Sequence, residues 1–178
     1  MVDARAHEPP DIETARLRLY APRLADLEAR LAMDRDPEVM RFIRPIPEDA
    51  AAQRADIRIR ILAPPRGAFW HIELREAPGF IGWCGVFPLQ DSGLMEIGYR
   101  FRRAAWGRGL ATEAATVALD YGFRELKLDP IVAVSDPDNA ASQGVLRKIG
   151  LRAAGTARHY GRELPFFELS RDEFLAGA

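Results

Sequence analysis

The stretch from Leu94 to Ser135 restricts the possible folds more than any other part of the chain. Leu94–Phe101, LMEIGYRF, alternates as a strand does, with Met95, Ile97, Tyr99 and Phe101 opposite Leu94, Glu96, Gly98 and Arg100. A basic, glycine-containing turn follows. It leads into a helix over about Gly109–Phe123, where Ala111, Ala114, Ala115 and Ala118 form a small-residue stripe that can lie close against a sheet. Ile131–Ser135, IVAVS, is then a short buried strand. Strand, helix and strand in that order need a crossover, which makes the two strands a parallel pair.

The flanking segments read as mostly antiparallel. Ala15–Tyr20 alternates as a half-buried strand, and Leu24, Leu27 and Leu31 recur at helical spacing. Asp36 and Pro37 form an N-cap and first-position pair for a second short helix. Glu48–Leu62 alternates at Ile57, Ile59 and Ile61, but its length and alanine-rich flanks favour a helix. Ala68–Arg75 and Gly79–Phe87 read as a hairpin turning at EAPG. Asn139–Ile149 is helical with Gly150 just past its end, and Leu151–Tyr160 with Glu163–Ser170 closes the chain as a hairpin around Gly161. The expected architecture is α/β (α+β): a mixed, mostly antiparallel sheet of about seven strands with helices on both faces. Residues 1–12 are expected to form a loose tail before a single domain over 13–176.

The 178 residues are enough for one domain with a real core, and the net charge of −1 gives no basic field for nucleic acid or an acidic membrane. Cys84 is the only cysteine, so an intramolecular disulfide and a thiolate metal cluster are both excluded. The first residues carry acids and prolines rather than an apolar signal core, and no apolar run has membrane-spanning length. A cytoplasmic soluble domain is the default expectation.

RRAAWGRGLATEA, Arg102–Ala114, sets Gly107 and Gly109 directly before the helix. Glycines there admit positive φ, and a helix start has unpartnered N–H groups with positive partial charge. Together they can cradle phosphate, with Arg102, Arg103 and Arg108 adding charge. The same residues also suit a tight strand–helix connection with incidental arginines. A Walker A loop is excluded because Leu110 and Ala111 follow Gly109. A dinucleotide fingerprint would need a third glycine at Thr112.

The runs EIGYRFRRAAWGRGLATEA and IVAVSDPDNAASQGVLRKIGL resemble the GCN5-related N-acetyltransferases (GNAT), and within them the subgroup that includes the ribosomal-protein N-terminal acetyltransferases. The likeness extends from ETARLRLYAP through DPEVMRFI to the last hairpin. It implies a single-domain acyl-CoA N-acyltransferase fold that uses acetyl-CoA as co-substrate and needs no metal. Trp106-Gly107-Arg108-Gly109-Leu110-Ala111 matches the family's pyrophosphate loop except at Trp106, where a polar residue is common. By the resemblance, N–H groups from Gly107 to Thr112 hold the pyrophosphate, and Arg100, Phe101 and Arg102 lie along the pantetheine arm. Asn139 and Ser142 match a second cofactor position, although Asn139 also reads as a simple helix cap.

Acyl transfer to an amine requires deprotonating the amine, polarising the thioester carbonyl and accommodating the thiolate. Glu96 is the candidate base; the alternative is a strand-edge carboxylate facing solvent. A backbone N–H near Phe101 would polarise the carbonyl. Leu146 stands where many relatives carry a tyrosine acid, so the acid is unassigned, with Ser142 or solvent in its place. Cys84, Trp70 and Trp83 read as core, and His71 as a surface histidine. The acceptor is expected to be a peptide N-terminus or a small-molecule amine, in a pocket built by the early helices and the last hairpin. Nucleic acid and membrane are not expected as partners, and family analogy offers a homodimer. The rival reading is a non-catalytic acyl-CoA sensor or scaffold.

Overall fold

The computed structural model describes residues 9–90 and 92–177. Eight strands form one sheet in the order β1-β2-β3-β4-β5-β6-β8-β7. They are β1 (Ile12–Glu13), β2 (Leu17–Tyr20), β3 (Ala68–Leu74), β4 (Phe80–Pro88), β5 (Met95–Phe101), β6 (Ile131–Val134), β7 (Arg152–His159) and β8 (Arg162–Leu169). The helices are α1 (Leu27–Asp34), α2 (Pro37–Met40), α3 (Ala50–Leu62), α4 (Leu110–Arg124), α5 (Ala140–Lys148) and α6 (Arg171–Ala176). Every strand pair is antiparallel except β5 with β6, which the α4 crossover joins in parallel.

Helix α4 lies close on the sheet because the middle of its contact face is small, with Ala114, Ala115 and Ala118 between the larger buried residues Leu110, Leu119 and Phe123. Ala114, Ala115 and Ala118 are fully buried against a core that includes Cys84, Val86 and Ile97 from β4 and β5. The same core takes Leu146 from α5, Ile149 just after it and Phe174 from α6. On the opposite face α1 packs on α3 and β4, with Met33 and Val39 against Phe80. Phe80 reaches that face through an irregularity: Ile72 pairs with Gly82 but Glu73 with Phe80, leaving Ile81 as the extra residue.

Asp36 caps α2 as the sequence indicates, and Asp49 caps α3 without a cap having been expected there. Asp36 accepts from the Glu38 N–H, and Asp49 accepts from Ala51 and Ala52, starting α3 two residues later than expected. Unforeseen are β1, an eighth strand of two residues, and α6, which Ser170 and Glu173 start with a reciprocal capping box. Of the tail expected over residues 1–12, residues 1–8 lie outside the described residues. Beyond them the chain is held: the Pro10 carbonyl accepts from Trp70 Nε1 at 2.9 Å, and Ile12 pairs with Leu19.

His71 departs most from expectation. It is fully buried on β3, with Nδ1 2.9 Å from Asp26 and Nε2 3.3 Å from Arg30 Nη1. Burial lowers its pKa despite the Asp26 carboxylate, so the ring is neutral, donating from Nδ1 and accepting at Nε2. A single alternating residue among apolar neighbours does not reveal that α1 will cover its face. Cys84 and Trp70 are core residues, as read, and burial pushes the Cys84 thiol far up and out of reactive range. Trp83 is only partly buried, and its ring meets the Arg100 guanidinium at 5.2 Å.

Candidate active site

Strands β5 and β6 pair only at Met95–Ile131 and Glu96–Val132. Beyond Glu96, β5 keeps its β4 partner to Phe101 while β6 turns to β8. The Arg102 N–H bonds the Ile81 carbonyl on the β4 side at 2.9 Å. Antiparallel alternation therefore turns the Tyr99 and Phe101 N–H groups toward the gap left by β6. A strand edge open for two or three residues is the place for an extended, amide-bearing arm to pair.

At the end of this edge the chain makes one 3-10 turn, Arg103–Ala105, and enters the glycine loop. Gly107 and Gly109 have φ of +70° and +75°, which disfavours any side chain there. A Cβ at Gly107 would meet nothing within 4 Å, so packing does not call for that glycine and its backbone conformation does. Gly109 caps α4 without a side-chain acceptor, while the Glu113 N–H bonds the Gly109 carbonyl at 3.1 Å. Leu110, Ala111 and Thr112, the first three helical residues, therefore present N–H groups with no intrahelical partner. This set of donors and the open edge beside it fit a pyrophosphate and its pantetheine arm.

A clamp that the sequence did not reveal fixes the loop. The Arg16 guanidinium on the β2 side bonds the Arg108 carbonyl at 2.7 Å and Glu113 Oε2 at 2.7 Å. Glu113 Oε1 accepts from the Arg16 N–H at 3.1 Å and from the Thr14 hydroxyl at 2.6 Å. Partial burial alone would raise the Glu113 pKa, but these bonds outweigh it and hold the carboxyl below its ordinary value. Trp106, the departure from the family loop, is 46% exposed and donates from Nε1 to the Phe101 carbonyl at 2.8 Å. The side chain of Arg100 turns away from the cofactor edge and pairs with Asp34 at 2.6 Å, and its N–H, like that of Arg102, is on the β4 side, so Arg100 offers that edge no polar group. Arg102 sends its guanidinium to the Phe80 carbonyl at 3.3 Å.

Across the gap, Asn139 caps α5 by accepting from the Ser142 N–H at 3.0 Å. Tyr99, from β5, donates its phenol to the Ser142 carbonyl at 2.9 Å and lies 3.2 Å from the Ser142 hydroxyl. Since the one phenol proton is held by the carbonyl, Ser142 Oγ is the donor in the second contact. Burial raises the Tyr99 pKa and keeps the phenol neutral.

Glu96 is on the other face of β5 and only 6% exposed, which overturns the alternative of a solvent-facing strand-edge carboxylate. Burial raises its pKa from 4.5 to about 7, against the opposing effect of a hydrogen bond from the Tyr160 hydroxyl. A carboxyl that titrates near 7 can both take and return a proton at neutral pH. Tyr160 occupies the two-residue turn between β7 and β8 with φ of +53°, unusual for an aromatic residue, and its N–H bonds Gln90 Oε1 at 2.8 Å. The Tyr-Gly pair around Gly161 was legible as a turn, but its reach to a strand 64 residues earlier was not.

No helix among the described residues is long and apolar enough to cross a membrane. The model of the acetyltransferase (GNAT) domain matches residues 16–152, well over half of the chain. The uncharacterised N-acetyltransferase p20 of Bacillus licheniformis is 33% identical over 152 residues, covering 83% of this chain and 85% of p20. An acetyltransferase of the GNAT family from Bacillus anthracis superposes with a TM-score of 0.78 at 25% identity, over 92% of this chain and all of that one. A spermidine N-acetyltransferase from Vibrio cholerae, solved with CoA and spermine, shares the fold with a TM-score of 0.75 at 17% identity, over 91% of this chain and 99% of its own. On the family match, the relatives and the fold together, the chain belongs to the GNAT family of N-acetyltransferases.

Proposed function

We propose that the protein transfers an acetyl group from acetyl-CoA to a primary amine by direct attack within a ternary complex in the cytoplasm. The observation that carries this reading is Glu96: a buried carboxyl, pKa about 7, set where β5 and β6 part and the open edge begins. Bound acetyl-CoA supplies the acyl group already activated as a thioester. The N–H groups of Leu110, Ala111 and Thr112 hold its pyrophosphate, and the Tyr99–Phe101 edge aligns its arm and polarises the carbonyl.

Glu96 takes the proton from the acceptor's ammonium, directly or through one water, and Tyr160 orients the carboxyl as it does so. The Ser142 hydroxyl, which donates to Tyr99 in the resting pair, stands at the α5 side of the gap; turned to the departing sulfur it donates a hydrogen bond to the thiolate, which takes its proton from solvent. No covalent enzyme intermediate is needed when both partners are held together. A non-catalytic sensor would need the cradle but would have no use for a carboxyl kept buried near neutrality. An acceptor of the peptide N-terminus kind, as in the ribosomal-protein subgroup, fits the same chemistry.

The test is release of free CoA from acetyl-CoA with a mixed panel of primary amines, run on wild type and Glu96→Gln. Amine-dependent release that falls at least about a hundredfold in the variant, with acetyl-CoA affinity unchanged, supports the assignment. Equal rates in both proteins would remove Glu96 from the chemistry.

A further inference from the structure

Tyr160 reaches Glu96 with its hydroxyl, and its ring also lines a cleft of about 440 Å³. The cleft runs between α2, the segment after it and the β7–β8 turn, with Phe42 and Ile46 supplying apolar walls. An amine held there therefore lies next to the wall that carries the base's hydrogen-bond partner. The other polar lining is one-signed: Arg41, Arg44 and Arg162, with no carboxylate among the described lining residues.

The three guanidiniums are held differently. Arg162 is fixed by Asp136 at 2.9 Å, which also offsets its charge. Arg41 stacks on the neighbouring Phe42 ring at 5.1 Å, and Arg44 is exposed. Guanidiniums with spare N–H groups beside an apolar wall fit a carboxylate on an aliphatic stem, bound through paired hydrogen bonds. They repel a chain of ammonium groups, for which an acceptor site needs carboxylates.

We infer that the acceptor is an anionic primary amine, one whose side-chain carboxylate, beyond any α-carboxylate, lies a few bonds from the reacting nitrogen and is bound by Arg41 and Arg44. The inference rests on the acetyltransferase reading above and adds the acceptor's charge to it. It separates this chain from the spermidine acetyltransferase that shares its fold. Two sources offer the chemistry, a free acidic amino acid and a peptide with an acidic residue at or next to its N-terminus.

The experiment measures CoA release at saturating acetyl-CoA with L-glutamate, L-glutamine, a tetrapeptide beginning Asp-Glu, its Asn-Gln counterpart and spermidine. The expected result is a kcat/KM at least about tenfold higher for one acidic amine than for its amide counterpart and for spermidine. Which acidic arm responds identifies the source. In R41Q/R44Q, both changes on the surface, KM for that amine rises about tenfold with kcat little changed, while calorimetry shows unaltered acetyl-CoA affinity. Added salt moves wild type in the same direction and the variant less. A preference for spermidine or for the amides, or an R41Q/R44Q enzyme with wild-type KM, overturns the inference. So does the absence of turnover with both acidic amines in protein that binds acetyl-CoA. Failure to bind acetyl-CoA at all is the separate result that defeats the underlying reading.

Discussion

The proposed cofactor side and the proposed acceptor side of this molecule meet at β5, yet they are constructed differently. On the cofactor side the working groups are backbone amides from one continuous stretch, Tyr99 to Thr112. Two left-handed glycines shape it, and the clamp of Arg16 and Glu113 holds it from outside. On the acceptor side the working groups are side chains: Glu96 from β5, Tyr160 from the last hairpin, and the arginines after α2. The backbone site depends on conformation and tolerates most side-chain changes outside its glycines. The side-chain site depends on burial and on contacts between distant segments, so single substitutions alter its chemistry without unfolding it.

The largest expected effect divides the two sides. Glu96→Gln should lower turnover by about 10²–10³-fold, the range for losing a general base, and leave acetyl-CoA binding within about twofold. It should also remove the rise of rate with pH that wild type shows around 7. Stability should move the other way. The folded protein keeps the Glu96 proton to about pH 7 while the unfolded chain releases it near 4.5, so wild type loses stability as pH rises between these values. Glutamine does not ionise, and thermal melts at pH 8 should find the variant more stable by roughly 1–3 kcal/mol, with little advantage at pH 4. A variant less stable than wild type at pH 8 would contradict the burial argument.

Tyr160→Phe comes next, at about tenfold in rate. The lost hydrogen bond favours the charged carboxylate, so its removal raises the Glu96 pKa further and shifts the rising limb to higher pH. A limb that stays in place would separate Tyr160 from the base. Glu113→Gln sharpens the comparison from the cofactor side. Loosening the clamp should weaken acetyl-CoA about three- to tenfold with kcat preserved, read by calorimetry beside steady-state rates. The smallest effect belongs to Tyr99→Phe, which loses the bond to the Ser142 carbonyl and the one accepted from the Ser142 hydroxyl. It should cost about 1 kcal/mol in denaturant unfolding and slow turnover only a few-fold.

This division also explains what was legible beforehand. The β5–α4–β6 crossover, the glycine loop and the cap of α5 are local patterns, and each stands where the sequence places it. Glu96 was legible as a candidate by position, but its burial depends on the hairpin that brings Tyr160 over it from 64 residues away. His71 shows the same limit: alternation assigned it to a face, and only the packing of α1 determines that the face is closed. Arg16 and Glu113 lie within the runs that carry the family resemblance, yet nothing in either run indicates that they meet across 97 residues. A motif scan can find charged pairs only at helical or strand spacing, and this clamp has neither.

The most direct test of the account is calorimetric titration of acetyl-CoA, with NAD and ATP as controls, into wild type, Gly109→Trp and Thr112→Asp. Gly109→Trp forces a bulky side chain onto a positive-φ residue beside Arg16, while Thr112→Asp suits a helix start and should fold at least as well. Its negative charge nevertheless opposes a pyrophosphate on the same N–H groups. The account predicts that wild type binds acetyl-CoA and neither control, and that both variants lose at least about tenfold in affinity, Thr112→Asp with its thermal stability intact. Unchanged binding by a folded Thr112→Asp protein, or no acetyl-CoA binding by wild type, would contradict the claim that the glycine loop is a phosphate cradle.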